Sequence, residues 1–447
     1  MRRFRSAAAG AAGFVLFGLC PAAPALADDD DDGGSLLDST PAFAELKAGR
    51  DALAERGFRF SGFYFSDMRA VARGGISRGG AYMGLASLSL DVDAEKTLGI
   101  EGGSLHVNAL QIHGRDLAER RVGNILAGND IGAMPTTRLF ELYYEQRFND
   151  RLAVRVGQLA ADEVFLKSGY AELFIGATFG WAASPSENLP QEGPAYPLAA
   201  LGAQATFEAT DDLTFRAAIY NGAAAPLDAE EPEEANRRGL NFRLKDPPLV
   251  IAEGEYRYGG GEEGLSGAVK LGGYLHFGDF ARLRDGEDAE RTRDRNVNVY
   301  AVWDQQIFRP EGEDDETGVG VFARVILGPS DRNAVRAYVD GGVVVRGMVP
   351  GRPADVFGVA AAYADFSPAL ARADRAANAE AGVRGPVRDF EMTFEANYRA
   401  EIVPGLTLQP TAQYVVHPGG SVAHPKGDGR RRIPDALVFG LTTIARF

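Results

Sequence analysis

The stretch Ala436-Leu-Val-Phe-Gly-Leu-Thr-Thr-Ile-Ala-Arg-Phe447 decides the fold. Leu437, Phe439, Leu441, Thr443, Ala445 and Phe447 fall on one face, and Val438, Gly440, Thr442, Ile444 and Arg446 on the other. This is the period of a strand, with charge confined to one side. A soluble sheet tolerates such a pattern. A strand with lipid outside and water inside requires it, because in a bilayer every backbone group must pair within a closed sheet.

Working back from that strand, the chain offers partners for it. Sixteen segments of strand character lie near 58–71, 81–95, 103–114, 136–147, 152–160, 196–208, 213–222, 248–258, 264–277, 295–308, 317–327, 335–346, 356–366, 388–399, 406–416 and 436–447. Each is close to the ~9–11 residues that a tilted membrane-spanning strand needs. Val297, Val299, Ala301 and Trp303 alternate with Asn298, Tyr300, Asp304 and Gln306; Phe390, Met392 and Phe394 alternate with Glu391, Thr393 and Glu395. Val335, Ala337, Val339, Val343 and Val345 likewise oppose Arg336, Tyr338, Asp340 and Arg346. The joins segregate by parity. Those at 148–151, 210–212 and 259–263 are short, whereas those near 115–135, 161–195, 222–247 and 278–294 are well beyond ordinary loop length. Short turns at one end and long loops at the other predict a 16-stranded antiparallel transmembrane β-barrel, with both termini on the periplasmic side.

The amino terminus supplies an address. Arg2, Arg3 and Arg5 precede an apolar core, Ala7 to Leu19, and Ala25-Leu-Ala27 has the small-x-small cleavage pattern. Residues 1–27 therefore read as a secretory signal peptide, with Cys20 inside it. Residues 28–57 read as an acidic linker, Asp28 to Asp32, followed by a short periplasmic helix. That helix carries Phe43, Leu46 and Leu53 on one side, has Asp51, Glu55 and Arg56 as charge support, and stops at Gly57. The barrel then occupies 58–447. The net charge of −15 becomes −18 once the three leader arginines are removed. Such an acidic chain has no basic face for nucleic acid. The five histidines lack metal-ligand spacing, so neither a metal nor another cofactor is expected. The carboxylate pairs Glu141/Glu145 and Glu253/Glu255 fit a wet wall better than glycoside hydrolysis, and no enzyme is read here.

Three stretches resemble the carbohydrate-selective outer-membrane porins of the OprB type. They are the loop Asp162–Pro197, with Tyr170-Ala-Glu-Leu-Phe-Ile-Gly-Ala-Thr-Phe-Gly-Trp181 and Asn188-Leu-Pro-Gln-Glu-Gly-Pro-Ala-Tyr-Pro197; Leu408-Gln-Pro-Thr-Ala-Gln-Tyr-Val-Val-His-Pro-Gly-Gly420; and the terminal strand with Asp435 before it. The resemblance implies a pore that passes sugars passively through the outer membrane of a Gram-negative cell, narrowed by loops folded inward.

Function should then sit on the inner wall. Even-spaced polar positions include Arg155, Arg216, Glu253, Glu255, Arg257, Lys270, Arg324, Arg336, Arg346, Glu391, Glu395 and Arg399. Rows of arginine and carboxylate across water offer a hydrogen-bonding track to sugar hydroxyls. Arg155 and Arg216 are singled out beside the long loop, and Tyr170, Phe179 and Trp181 within it are either constriction residues or the loop's anchor to the wall. Two other readings stand beside the sugar pore: a general diffusion porin with mild cation preference, and a surface saccharide-binding or adhesin barrel. Partners are sugars as solute and outer-membrane lipid; homotrimer and monomer both remain open.

Overall fold

Alternation of lipid-facing and water-facing side chains can be satisfied only if the sheet closes, and it does. The computed structural model describes residues 34–126, 128–261, 264–283, 292–313 and 316–447; the expected signal peptide and the run Asp28–Asp32 lie outside the described residues. The strands are β1 (Phe58–Arg73), β2 (Gly79–Asp93), β3 (Gly103–Gly114), β4 (Thr136–Asn149), β5 (Leu152–Leu159), β6 (Ala200–Glu208), β7 (Leu213–Asn221) and β8 (Pro248–Tyr258). They continue as β9 (Gly267–Ala281), β10 (Thr292–Phe308), β11 (Gly318–Leu327), β12 (Val335–Arg346), β13 (Val356–Phe366), β14 (Phe390–Val403), β15 (Leu406–Val416) and β16 (Ala436–Arg446). Every strand pairs antiparallel with its chain neighbours, and β1 pairs with β16 to complete the barrel.

The usual inside-out rule of soluble proteins is inverted. Phe439 and Leu441 on β16, Val297, Val299 and Trp303 on β10 and Phe394 on β14 are exposed, while Asn296, Asn298, Glu391, Thr393, Glu395 and Asn397 are buried. The exposed apolar set is the lipid-facing surface and the buried polar set the interior.

Two departures from the sequence reading have local causes. Residues 196–199 stay with the preceding loop, where the Tyr196 amide donates to Asp162 Oδ2 at 2.8 Å, so β6 begins at Ala200. On β12 the pairing register shifts between Val335 and Ala337. This turns Val335 inward, fully buried, and leaves Arg336 outside the interior row.

Before the barrel, a helix at Ala44–Ala54 follows a tight turn at Pro41–Phe43. Its i,i+4 pair is Lys47 with Asp51 at 2.7 Å, and Phe43 packs edge-on against Phe447 with ring centres 6.3 Å apart. The sequence reading passed over a second helix, Pro368–Glu380, in the loop after β13. Its signal was present: Ser367 caps it by accepting from the Ala369 amide, Pro368 opens it, and alanines fill it.

Candidate functional site: the passage lined by the inward loop

The loop between β5 and β6 folds into the barrel. Leu166, Phe174, Phe179 and Ala182 are buried with Tyr300, Val302, Phe322, Tyr338 and Val344 from the inner faces of β10 to β12. Phe174 lies 5.0 Å from Phe179 and 5.7 Å from Phe322, ring centre to ring centre. Glycines in the wall make this approach possible. A Cβ on Gly320 of β11 would stand 2.0 Å from the Tyr170 ring, and one on Gly358 of β13 would stand 2.5 Å from Leu173 and 2.8 Å from Phe174. Glycine within a strand often marks such close approach.

A loop inside a barrel carries backbone groups that water no longer reaches, and each needs a partner. The wall supplies them. Arg324 donates through Nη1 to the carbonyls of Leu166 and Gly180, both at 2.9 Å, and through Nη2 to those of Thr178 and Phe179 at 2.7 and 3.2 Å. Glu395 accepts from the amides of Ile175 and Gly176 at 2.7 and 3.0 Å. Glu253 accepts from the Leu166 amide, and Asp304 from the Ser168 hydroxyl and the Gly169 amide. Gln409 and Asn397 donate to the Leu173 carbonyl. Glu391 holds the β3–β4 loop in the same way, accepting from the Ile125 and Leu126 amides.

Strand register sets the charges opposite one another. Arg155 faces Glu145, Arg216 faces Glu253, Lys270 faces Glu255 and Arg324 faces Asp340 as direct cross-strand partners. Arg155 Nε donates to Glu145 at 2.6 Å and its guanidinium lies 4.9 Å over the Tyr143 ring. Arg216 Nη1 donates to Glu255 at 2.6 Å.

Three arginines of the wall around the loop give the passage its character. Arg346, Arg399 and Arg446 project inward from β12, β14 and β16, and Arg399 is close enough to the other two and to Glu172 to feel their charge. Arg346 also donates to the Gly169 carbonyl at 2.9 Å and lies 5.3 Å over the Tyr170 ring. Glu172 is an exposed acid of the loop, as are Glu187 and Glu192 further along, and it pairs with Lys167 at 3.2 Å. Burial works against the Lys167 charge, yet Glu172 and Glu163 together hold its pKa above the ordinary value. At the loop's neck, burial first and the neighbouring Glu163 second push Asp162 up to about 7. The arrangement is an arginine row on one wall facing a loop that carries carboxylate and aromatic groups. It can exchange hydrogen bonds with hydroxyls and screen charge, and it holds no convergent nucleophile. Among the described residues no cluster of histidine, cysteine and carboxylate could hold a metal ion.

The candidate residues fall into three places. Arg324, Glu253 and Phe179 are fully enclosed, their side chains used in the ion pairs and packing that seat the loop, so they present no surface to a solute. Arg155, Arg216 and Glu255 are paired at the wall with little exposure, and Arg257 extends from Glu255 into open space. Tyr170 and Trp181 are half-buried on the loop, with Trp181 Nε1 donating to the Glu192 carbonyl at 3.1 Å. Arg336 is a correction: beyond the register shift it pairs with Asp365 at 2.7 Å at the loop end of β12, away from the interior row. Glu172, Lys167 and Arg446 were not among the candidates. The first two lie on the loop, where no strand period reveals their direction, and Arg446 was read only as the permitted charge of the last strand.

A closed sixteen-stranded barrel, apolar outside and polar within, with a long loop seated inside it, defines an outer-membrane porin. Comparison with known proteins identifies which kind: the carbohydrate-selective porin OprB family matches residues 77–447, and the chain belongs to that family. It is similar to Porin B of Pseudomonas aeruginosa, 24% identical over 400 residues, covering 83% of this chain and 85% of that protein. In fold it is similar to Pseudomonas putida OprB in its high-pH structure, with TM-score 0.77 and 19% identity over 90% of this chain and 97% of the other. The low-pH structure of the same protein matches at TM-score 0.52 and 16% identity, with the same coverage. Fold and family together make the chain a carbohydrate porin, a channel of the Gram-negative outer membrane.

Proposed function

We propose that this chain passes monosaccharides and small oligosaccharides by passive diffusion between the arginine row Arg346, Arg399 and Arg446 and the inward loop at Tyr170 and Glu172. The observation that carries the reading is the loop's seat: wall side chains satisfy its backbone, so the remaining opening is lined by guanidinium, carboxylate and tyrosine. Guanidinium groups donate to sugar hydroxyls and the tyrosine face packs against the apolar side of a pyranose ring. Several weak contacts let a solute enter and leave. Arg155, Arg216 and Arg257 contribute at the opposite wall by fixing Glu145 and Glu255. The chain reaches the outer membrane by removal of residues 1–27 as a signal peptide, with 28–57 as a periplasmic linker and helix and 58–447 as the barrel. The reading fits monomer and homotrimer alike, because the passage runs inside one closed chain.

Liposome swelling with refolded protein tests this. Sugars should enter faster than size-matched amino acids, and Arg346→Ala with Arg399→Ala should remove the difference while keeping entry. Equal rates for all solutes in the parent protein would make it a general diffusion pore. No swelling from a folded, heat-modifiable barrel would return the adhesin reading.

A further inference from the structure

The loop joining β7 to β8 does more than connect them. It reaches back across the rim to β4. The Leu139 amide, freed where the β3–β4 register shifts, donates to the Arg238 carbonyl at 3.0 Å, and Gln158 Nε2 donates to the Gly239 carbonyl at 3.1 Å. Gln158 pairs with Leu142 and follows exposed Val156 by two residues, so it belongs to the outward row. At its other end the segment is fixed where Asn221 Nδ2 donates to Asp246 at 2.9 Å. Residues 239–246 are therefore stretched as a strap along the long-loop rim from β4 and β5 to β7.

The strap's composition is unusual for a chain of net charge −15. The loop's acids are concentrated at 228–234; from Arg237 to Lys245 no acid occurs and basic and apolar residues are interleaved, and Asp246 at the end is paired with Arg243 at 2.8 Å. Leu240, Phe242 and Leu244 are 57%, 48% and 77% exposed, which water alone does not favour. Arg238 and Lys245 are exposed as well, and their side chains form no ion pair among the described residues. Arg237 and Arg238 also line an open cleft with Thr136 and Thr137; there the Thr136 hydroxyl donates to the Arg237 carbonyl at 3.3 Å, and Arg237 Nη1 lies 3.4 Å from Glu234 in an exposed pair. An opening lined by arginine and threonine residues offers donor types that suit phosphate.

We propose that this strap docks a phosphorylated glycolipid of the outer leaflet. A phosphate sits in the cleft of Arg237, Arg238, Thr136 and Thr137, and acyl chains lie along Leu240, Phe242 and Leu244. The two halves of that ligand, anionic head and apolar tail, match the two halves of the strap, and its apolar side continues the lipid-facing row that includes Val156 and Ile219. The proposal rests on the reading of the barrel as an outer-membrane porin with its long loops outward.

Native mass spectrometry of the folded chain in detergent tests it, using bis-phosphorylated lipid A, its phosphate-free derivative and inorganic phosphate as probes. The parent protein should retain the bis-phosphorylated lipid. The variant R237A/R238A/K245A should bind it on the order of 100-fold more weakly, with unchanged sugar swelling and heat-modifiable mobility. If that variant does not fold, R238Q alone should weaken binding roughly fivefold. Equal retention by parent and variant, or equal binding of the phosphate-free lipid, would overturn the proposal. So would displacement of the lipid by millimolar inorganic phosphate, which would mark a site for soluble anions. A failure of sugar swelling in the parent protein would instead strike the porin reading, so the two failures are distinguishable.

Discussion

Removing the Arg324 side chain should release the inward loop while leaving the barrel intact. Arg324 is fully buried, pairs with Asp340 of the adjacent strand and donates to four loop carbonyls. In Arg324→Ala those carbonyls lose their donor and Asp340 is left as an enclosed charge, its remaining partner being the Tyr338 hydroxyl at 2.6 Å. Breaking a buried pair by removing one member costs about 3–5 kcal/mol, a shift of roughly 100- to 5,000-fold between seated and released loop. The strand ladders on either side of β11 do not involve this side chain, so the barrel should still form. The assay is hydrogen exchange over peptides spanning 166–181, joined to single-channel conductance. Exchange in that segment should speed up by at least ~100-fold, conductance should rise, and discrimination between sugars and size-matched solutes should vanish. Arg324→Met combined with Asp340→Leu removes the stranded charge and should recover part of the protection, the remaining deficit reporting the orphaned carbonyls. Unchanged exchange and conductance in Arg324→Ala would refute the view that the wall's charges hold the loop.

Three further outcomes follow from the same geometry. Gly320→Val places a side chain where the Tyr170 ring lies; it should displace the loop and raise conductance with little loss of barrel stability, and a parent-like conductance would contradict the seat. Glu172→Gln should change cation preference, read as a reversal potential in a salt gradient, because it removes the exposed loop carboxylate that acts on Arg399. The third concerns pH. Asp162 has its pKa raised to about 7 in the folded loop, so the seated state binds a proton that the released state gives up. Loop seating is therefore strongest below the ordinary carboxylate pKa and weakens as pH rises through about 7. Proteolysis within 162–196 should be faster at alkaline than at mildly acidic pH, and Asp162→Asn should flatten that dependence.

Much of the barrel was legible in the sequence because a membrane strand has one simple code. Lipid on one side and water on the other impose period two, as on β16, and short turns alternate with long loops because only one end of the barrel is free to elaborate. β3, β8, β12, β13 and β15 begin and end where that pattern does. The code fails where period two is interrupted: the shift at Val335/Ala337 turned Arg336 outward although spacing had placed it with Tyr338 and Asp340. It also says nothing of a loop's path, since Glu172 and Lys167 have no periodicity to give their direction.

The roles of the inward residues were decided by tertiary structure alone. Spacing placed Arg324, Glu253 and Glu395 on the wet face, but a polar side chain on that face can meet either a solute or a loop. Once the β5–β6 loop enters the barrel, its amides and carbonyls lose water and take up the nearest charged groups, because an unpaired buried backbone group costs more than an unused side chain in water. The strand pattern thus determined which residues face inward. Which of them remain available to a sugar depended on where a distant loop came to rest.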